Sequence, residues 1–75
     1  MSGSLQAKRL LAQAVDGDPT AIPDDVRLGA FERWDSLAHL RLVLAIEDSI
    51  GRKLDPDESV RIETLQNISA LLASK

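Results

Sequence analysis

The sequence predicts an all-α fold: a small four-helix bundle with a long loop between helices one and two and a short third helix. Three observations carry that prediction. Apolar residues recur at three- and four-residue spacing in separate stretches, the period of a helix face. Residues that start and stop helices punctuate the chain between those stretches. At 75 residues, 44% hydrophobic and 28% charged, the chain can build one modest core, because a domain this small buries only about 60% of its unfolded surface.

Helix one is predicted from Leu5 to about Val15, where Ala7, Leu10, Leu11, Ala14 and Val15 fall on one face and Ser4 stands ready to cap the start. Asp16-Gly17-Asp18-Pro19 ends it, with Gly17 as the C-terminal cap. A single domain is expected over 1–75, with Met1 to Ser4 disordered or appended to it. From Pro19 to Trp34 there is no steady period, yet Ile22, Val26, Leu28, Phe31 and Trp34 lie among the polar residues. A loop this long is uncommon in a compact domain unless its own apolar side chains tie it down. Such anchoring is expected here, together with one short helical turn.

Helix two is predicted from Ser36 to Ile50, closed by Gly51 and followed by Arg52 and Lys53. At 100° per residue, His39, Leu42, Val43, Ile46 and Ile50 share one face, while Leu37, Leu40, Arg41, Leu44 and Asp48 share another. Asp55-Pro56-Asp57-Glu58 reads as an N-cap, a proline at the first helical position and an acidic third residue, starting a helix three that runs to about Ile62. Thr64 then caps helix four, whose stripe is Leu65, Ile68, Leu71 and Leu72.

Composition narrows the function. Nine Lys and Arg against twelve Asp and Glu leave a net charge of −3, which argues against nucleic acid as a partner, since that affinity comes from cationic contacts to phosphates. Without cysteine there is no disulfide framework, thiolate metal site or cysteine nucleophile. The longest near-apolar stretch, Leu40 to Ile46, is broken by Arg41 and is far below the roughly 20 residues of a membrane span. No signal-peptide apolar region opens the chain, and a cytoplasmic protein is expected.

The crowded spot is Trp34-Asp35-Ser36-Leu37-Ala38-His39. Ser36 and His39 are helical neighbours, but a catalytic triad needs a carboxylate on the far imidazole nitrogen, and Asp35 precedes the serine on the loop side. There is no Gly-x-Ser-x-Gly elbow, so the chain is not read as an enzyme. Asp35 and Ser36 also read simply as the start of helix two, both being favoured N-cap residues. His39 reads as a satisfied ring on the apolar face; no second histidine exists to share a metal with it. Glu47, Asp48, Asp55, Asp57 and Glu58 lack the spacing of a calcium loop and read as a solvated acidic surface, so no metal is expected.

Taken together, Asp35-Ser36-Leu37, the leucine-rich Leu40 to Asp48, Ile50-Gly51, Leu54, Asp57-Glu58, Ile62 and the final apolar helix resemble an acyl carrier protein. The resemblance runs from about Leu5 to Ala73. Its specificity comes from the placement of Asp-Ser-Leu at the head of helix two, with Gly51 fifteen residues after the serine.

The resemblance implies that a phosphopantetheinyl transferase attaches 4′-phosphopantetheine from coenzyme A to Ser36, and that acyl or aminoacyl groups ride on its thiol as thioesters. Asp35 and Leu37 flank that site, and the acidic residue before the serine is associated with docking to the transferase. The resemblance assigns His39, Leu42, Val43, Ile46, Ile50, Leu54 and Ile62 to the inward side, which can shelter cargo. Leu37, Arg41, Leu44, Glu47 and Asp48 match the outward side, which meets the transferase, a loading ligase and a downstream transferase. A monomer is expected, because Ser36 must be presented to several enzymes in turn.

The sequence departs from the fatty-acid carriers in two ways. Ala38 and Arg41 stand where those carriers often have acids, so helix two holds only Arg41, Glu47 and Asp48, a net −1, and recognition by basic patches is weakened. Trp34 before the motif and His39-Leu40-Arg41 after it look more like stand-alone carriers of specialised pathways, including those for amino acids, small hydroxy acids or peptides. His39 at the pocket mouth points to short or polar cargo, and a hydrogen-bonded structural histidine would look the same. The alternative reading is a non-covalent helical interaction module, a degenerate carrier that uses the exposed face of helix two.

Overall fold

In the computed structural model, which describes residues 2–73 and side chains from Leu5 onward, the described residues form four helices and no extended strand. The order is α1 (Ser2–Ala14), a 3₁₀ turn (Pro19–Ala21), α2 (Ser36–Ile50), α3 (Pro56–Val60) and α4 (Leu65–Ala73). The expected all-α bundle is the observed architecture. Helix α1 packs against both α2 and α4, which also touch each other. The helices contribute to the core Ala7, Leu11, Ala12 and Ala14 from α1, Ala38, Leu42 and Ile46 from α2, and Leu65, Ile68 and Leu72 from α4.

Helix α1 begins before the expected Leu5. Ser2–Ser4 are therefore helical rather than disordered, and Ser4 lies inside the helix rather than at its cap. The expectations for Met1 and for the last two residues of the domain lie outside the described residues. Gly17 is likewise not the residue in the left-handed conformation: Asp16 is, with φ of 57°. The Gly17 N–H donates to the Ala12 carbonyl at 2.8 Å and the Asp16 N–H to Gln13 at 3.3 Å, a Schellman closure shifted by one residue. Aspartate tolerates this region better than most side chains. At the end of α2 the expected glycine does serve, with Gly51 at φ 75° donating to the Glu47 carbonyl.

The loop between α1 and α2 is anchored as expected. Ile22, Val26 and Trp34 are buried in the core, and Leu28 and Phe31 pack at its edge. The expected helical turn is the 3₁₀ segment, whose cap Asp18 accepts from the Thr20 N–H at 2.9 Å. Backbone contacts pin the loop to the α3–α4 link: Leu28 N–H donates to the Glu63 carbonyl at 2.8 Å, and Arg27 bridges to Thr64.

That link is organised by Asn67, a residue that no sequence pattern singles out. Asn67 Oδ1 accepts from Glu63 N–H, Thr64 N–H and Thr64 Oγ1 at 2.9, 3.0 and 3.1 Å, while Asn67 N–H donates to Thr64 Oγ1 at 3.3 Å. Thr64 is thus the expected cap, and Asn67 completes it as Glu or Gln would in a capping box. Asn67→Ala strands three donors and is expected to cost about 1–3 kcal/mol. Asn67→Asp, which keeps the acceptor, should retain most of the stability in a urea melt.

Helix α3 ends at Val60, short of the expected Ile62, and buries none of its own residues; Ile62 enters the core just beyond it. Polar ties hold α3 instead. Arg52 donates through two nitrogens to Glu58 at 3.1 and 3.0 Å, and Asp55 N–H donates to Glu58 Oε1 at 3.0 Å. The Arg52 guanidinium, and secondarily the Asp55 N–H, lower the Glu58 carboxyl from its ordinary 4.5 to about 2. A depressed acid stabilises the fold above its ordinary value and loses that contribution as pH falls. Unfolding at a series of pH values should therefore show wild type losing stability between about 4.5 and about 2, with a smaller loss in Glu58→Gln. Because the pair is partly exposed, salt should shrink the difference.

Candidate functional site

The head of α2 gives two adjacent residues different roles. Asp35 is the N-cap, and its carboxylate accepts from the Ala38 N–H at 2.9 Å. Ser36 is the first helical residue; it is exposed, and among the described residues its hydroxyl has no hydrogen-bond partner. Capping therefore accounts for Asp35 and leaves Ser36 unexplained. Asp35→Ala should cost about 0.5–2 kcal/mol, whereas Asp35→Asn keeps the capping oxygen and should stay close to wild type in thermal unfolding.

His39 sits one turn further along and is half-buried. Trp34 Nε1–H donates to His39 Nδ1 at 3.1 Å, and His39 Nε2 lies 2.9 Å from the Ser59 carbonyl. An acceptor at Nδ1 requires the proton to sit on Nε2, so the ring is a neutral donor to Ser59. The two rings stack with centroids 6.1 Å apart. Both nitrogens are thus committed, one to the loop and one to α3, and neither serves Ser36. The satisfied-ring reading of His39 holds, and its partners come from segments distant in sequence.

An open groove of about 430 Å³ runs beside the serine, lined by Leu28, Gly29, Trp34, Asp35, Ser36 and His39. A larger groove of about 520 Å³ is lined by Asp24 and α4 residues and contains nothing from α2.

The outward face carries Leu37, Leu40 and Leu44, exposed by 57%, 56% and 56%, flanked by exposed Arg41 and Asp48. Three bulky leucines in solvent on one helix face form the kind of patch that marks an interface. Glu47, expected on that face, is half-buried and lines a surface groove with Leu44 and Asp48, while its Oε2 accepts from the Leu54 N–H at 2.8 Å, which fastens the chain after α2. The acidic-surface reading accordingly holds for exposed Asp48, Asp55 and Asp57, but not for Glu47 and Glu58, which are spent on internal hydrogen bonds. Among the described residues no three His, Asp or Glu side chains group to hold a metal.

Of the residues expected to line a cargo pocket, Leu42, Ile46 and Ile62 are at most 1% exposed, while His39, Val43 and Leu54 are half-buried. His39 and Ile62 line separate grooves, and neither groove includes Leu42, Val43 or Ile46. Ala38, compared above with the acids of fatty-acid carriers, is 4% exposed and part of the core; small residues at an inward helix position let neighbouring elements approach closely. Among the described residues no helix is long and apolar enough to cross a membrane. No protein-family model matches the chain, and no curated protein matches it.

Proposed function

We propose that this chain is a carrier protein of the acyl-carrier class, modified on Ser36 with 4′-phosphopantetheine and serving a specialised biosynthetic system in the cytoplasm, where coenzyme A supplies the arm. The observation that carries this reading is the contrast between neighbours at the head of α2: the Asp35 carboxylate closes the helix, and the Ser36 residue is left exposed, its hydroxyl without a partner among the described residues. A hydroxyl that does no structural work at the start of a 15-residue helix is free for covalent use.

The surroundings fit the group. The first N–H groups of a helix have no carbonyl partner within it, and the helix end carries partial positive charge. The backbone N–H groups of Ser36 and Leu37 would be the donors available to a phosphate on Ser36 Oγ. Asp35 would oppose that phosphate, and its exposure suits the transferase-docking role that the resemblance gives it. During attachment Ser36 Oγ forms the bond to phosphorus, the phosphoanhydride bond of coenzyme A breaks, adenosine 3′,5′-bisphosphate leaves, and the hydroxyl proton passes to the transferase. Once bound, the arm supplies a thiol that carries acyl or aminoacyl groups as thioesters, chemistry that a chain without cysteine lacks.

In this reading the chain is not an enzyme. It presents Ser36, and the Leu37, Leu40 and Leu44 face, with Arg41 and Asp48, meets the transferase, a loading ligase and a downstream transferase in turn. It acts as a monomer, and neither nucleic acid nor membrane is a partner. Those exposed leucines also favour a second reading, a non-covalent interaction module that binds a partner helix.

Intact mass separates the two. After incubation with coenzyme A, magnesium and a broad-specificity phosphopantetheinyl transferase, wild type should gain the mass of one phosphopantetheine and Ser36→Ala none. No gain by folded wild type with several transferases would leave the interaction module.

A further inference from the structure

The groove at Ser36 differs from the seam beneath α2 in one respect that matters for a group tethered there. Along that seam Leu42, Ile46 and Ile62 are at most 1% exposed, and no groove there reaches Ser36. The groove is open and starts at the attachment point, with half-buried Leu28 as its apolar wall and Trp34, 2% exposed, adding only a small apolar area. A Cβ placed on Gly29 would meet nothing within 4 Å, so that side is open space. At about 430 Å³ the groove falls in the size range of ordinary small-molecule sites.

Its polar side chains are already engaged. Trp34 Nε1–H is given to His39 Nδ1, His39 Nε2 to Ser59, and one Asp35 oxygen to Ala38. Apart from the Ser36 hydroxyl, which attachment consumes, the lining side chains hold no uncommitted donor. An anionic group would gain no side-chain hydrogen bond there and would face Asp35. A branched, uncharged apolar group would lose only water-exposed surface.

Resting on the reading of Ser36 as an attachment site, we propose that this groove seats the pantoyl segment of the arm, whose geminal methyl groups follow directly after the phosphate. The arm then leaves Ser36 over the Leu28–Gly29 loop rather than along the seam between α2 and α3. Leu28 is the positioning side chain, and the little of Trp34 that reaches the groove completes the contact. The site takes the arm itself, so it works whatever the cargo.

The test uses protein converted to the phosphopantetheine form with coenzyme A made from pantothenate carrying ¹³C in its geminal methyls, with conversion confirmed by mass. Isotope-filtered NOE spectra should connect those methyls to the Trp34 indole and the Leu28 methyls, and the Trp34 indole N–H resonance should shift between unmodified and modified protein. Modified protein whose arm methyls show no NOE to the chain, or NOEs to Val43, Leu54 and Ile62 instead, overturns the groove assignment and leaves the carrier reading standing. Folded protein that takes no phosphopantetheine overturns both.

Discussion

Trp34→Ala is expected to leave most of the population unfolded at room temperature. Trp34 is 2% exposed and is the largest of the fully buried side chains. Its removal deletes an indole from the core where the loop meets α2. Aromatic-to-alanine changes in cores cost about 3–5 kcal/mol, and a domain this small sits near the low end of the usual range of about 5–15 kcal/mol. The variant also leaves His39 Nδ1 without its donor at a half-buried site. Trp34→Phe isolates that second loss: it keeps most of the ring volume, removes the N–H, and should cost about 1–3 kcal/mol. Helical circular dichroism against urea checks both, and a Trp34→Ala variant as stable as wild type would refute the role given to the loop anchor.

Ser36→Ala is expected to abolish modification completely while leaving the urea midpoint within the roughly 0.5 kcal/mol scatter of ordinary surface substitutions. Had Ser36 been the cap, alanine there would cost about 0.5–2 kcal/mol; the cap is Asp35, and alanine is a good residue for the first helical turn. The two adjacent variants should therefore separate cleanly. Asp35→Ala lowers stability and keeps the attachment hydroxyl, whereas Ser36→Ala keeps stability and removes it. A loss of stability in Ser36→Ala as large as that in Asp35→Ala would mean that the hydroxyl does structural work after all, and would remove the main support for the carrier reading.

Much of this arrangement was legible in the chain because it is local. The bounds of α2 follow from Asp35 at one end and Gly51 at the other, and the period of Leu42 and Ile46 against Leu37, Leu40 and Leu44 separates the buried face from the exposed one. Elsewhere a local rule met a tertiary competitor and lost. Gly17 was the natural helix stop, yet Asp16 takes the left-handed turn one residue earlier. Glu47 has the right spacing for a surface acid, but the chain after Gly51 folds back and presents the Leu54 N–H to it. Ala38 shows no apolar signal strong enough to mark a core position, and only the packing reveals that it is one.

The sequence by itself determined the all-α class, the four helical segments, the anchored loop, and the placement of Asp35-Ser36 at a helix start. Those features depend on periodicity and on end residues within a few positions of one another. The tertiary structure alone decided that the His39 nitrogens are taken by Trp34 and by Ser59, twenty residues away, and that a groove opens at the serine. Hydrogen bonds between distant segments exist only once packing has brought those segments together, and a period along the chain carries no record of them.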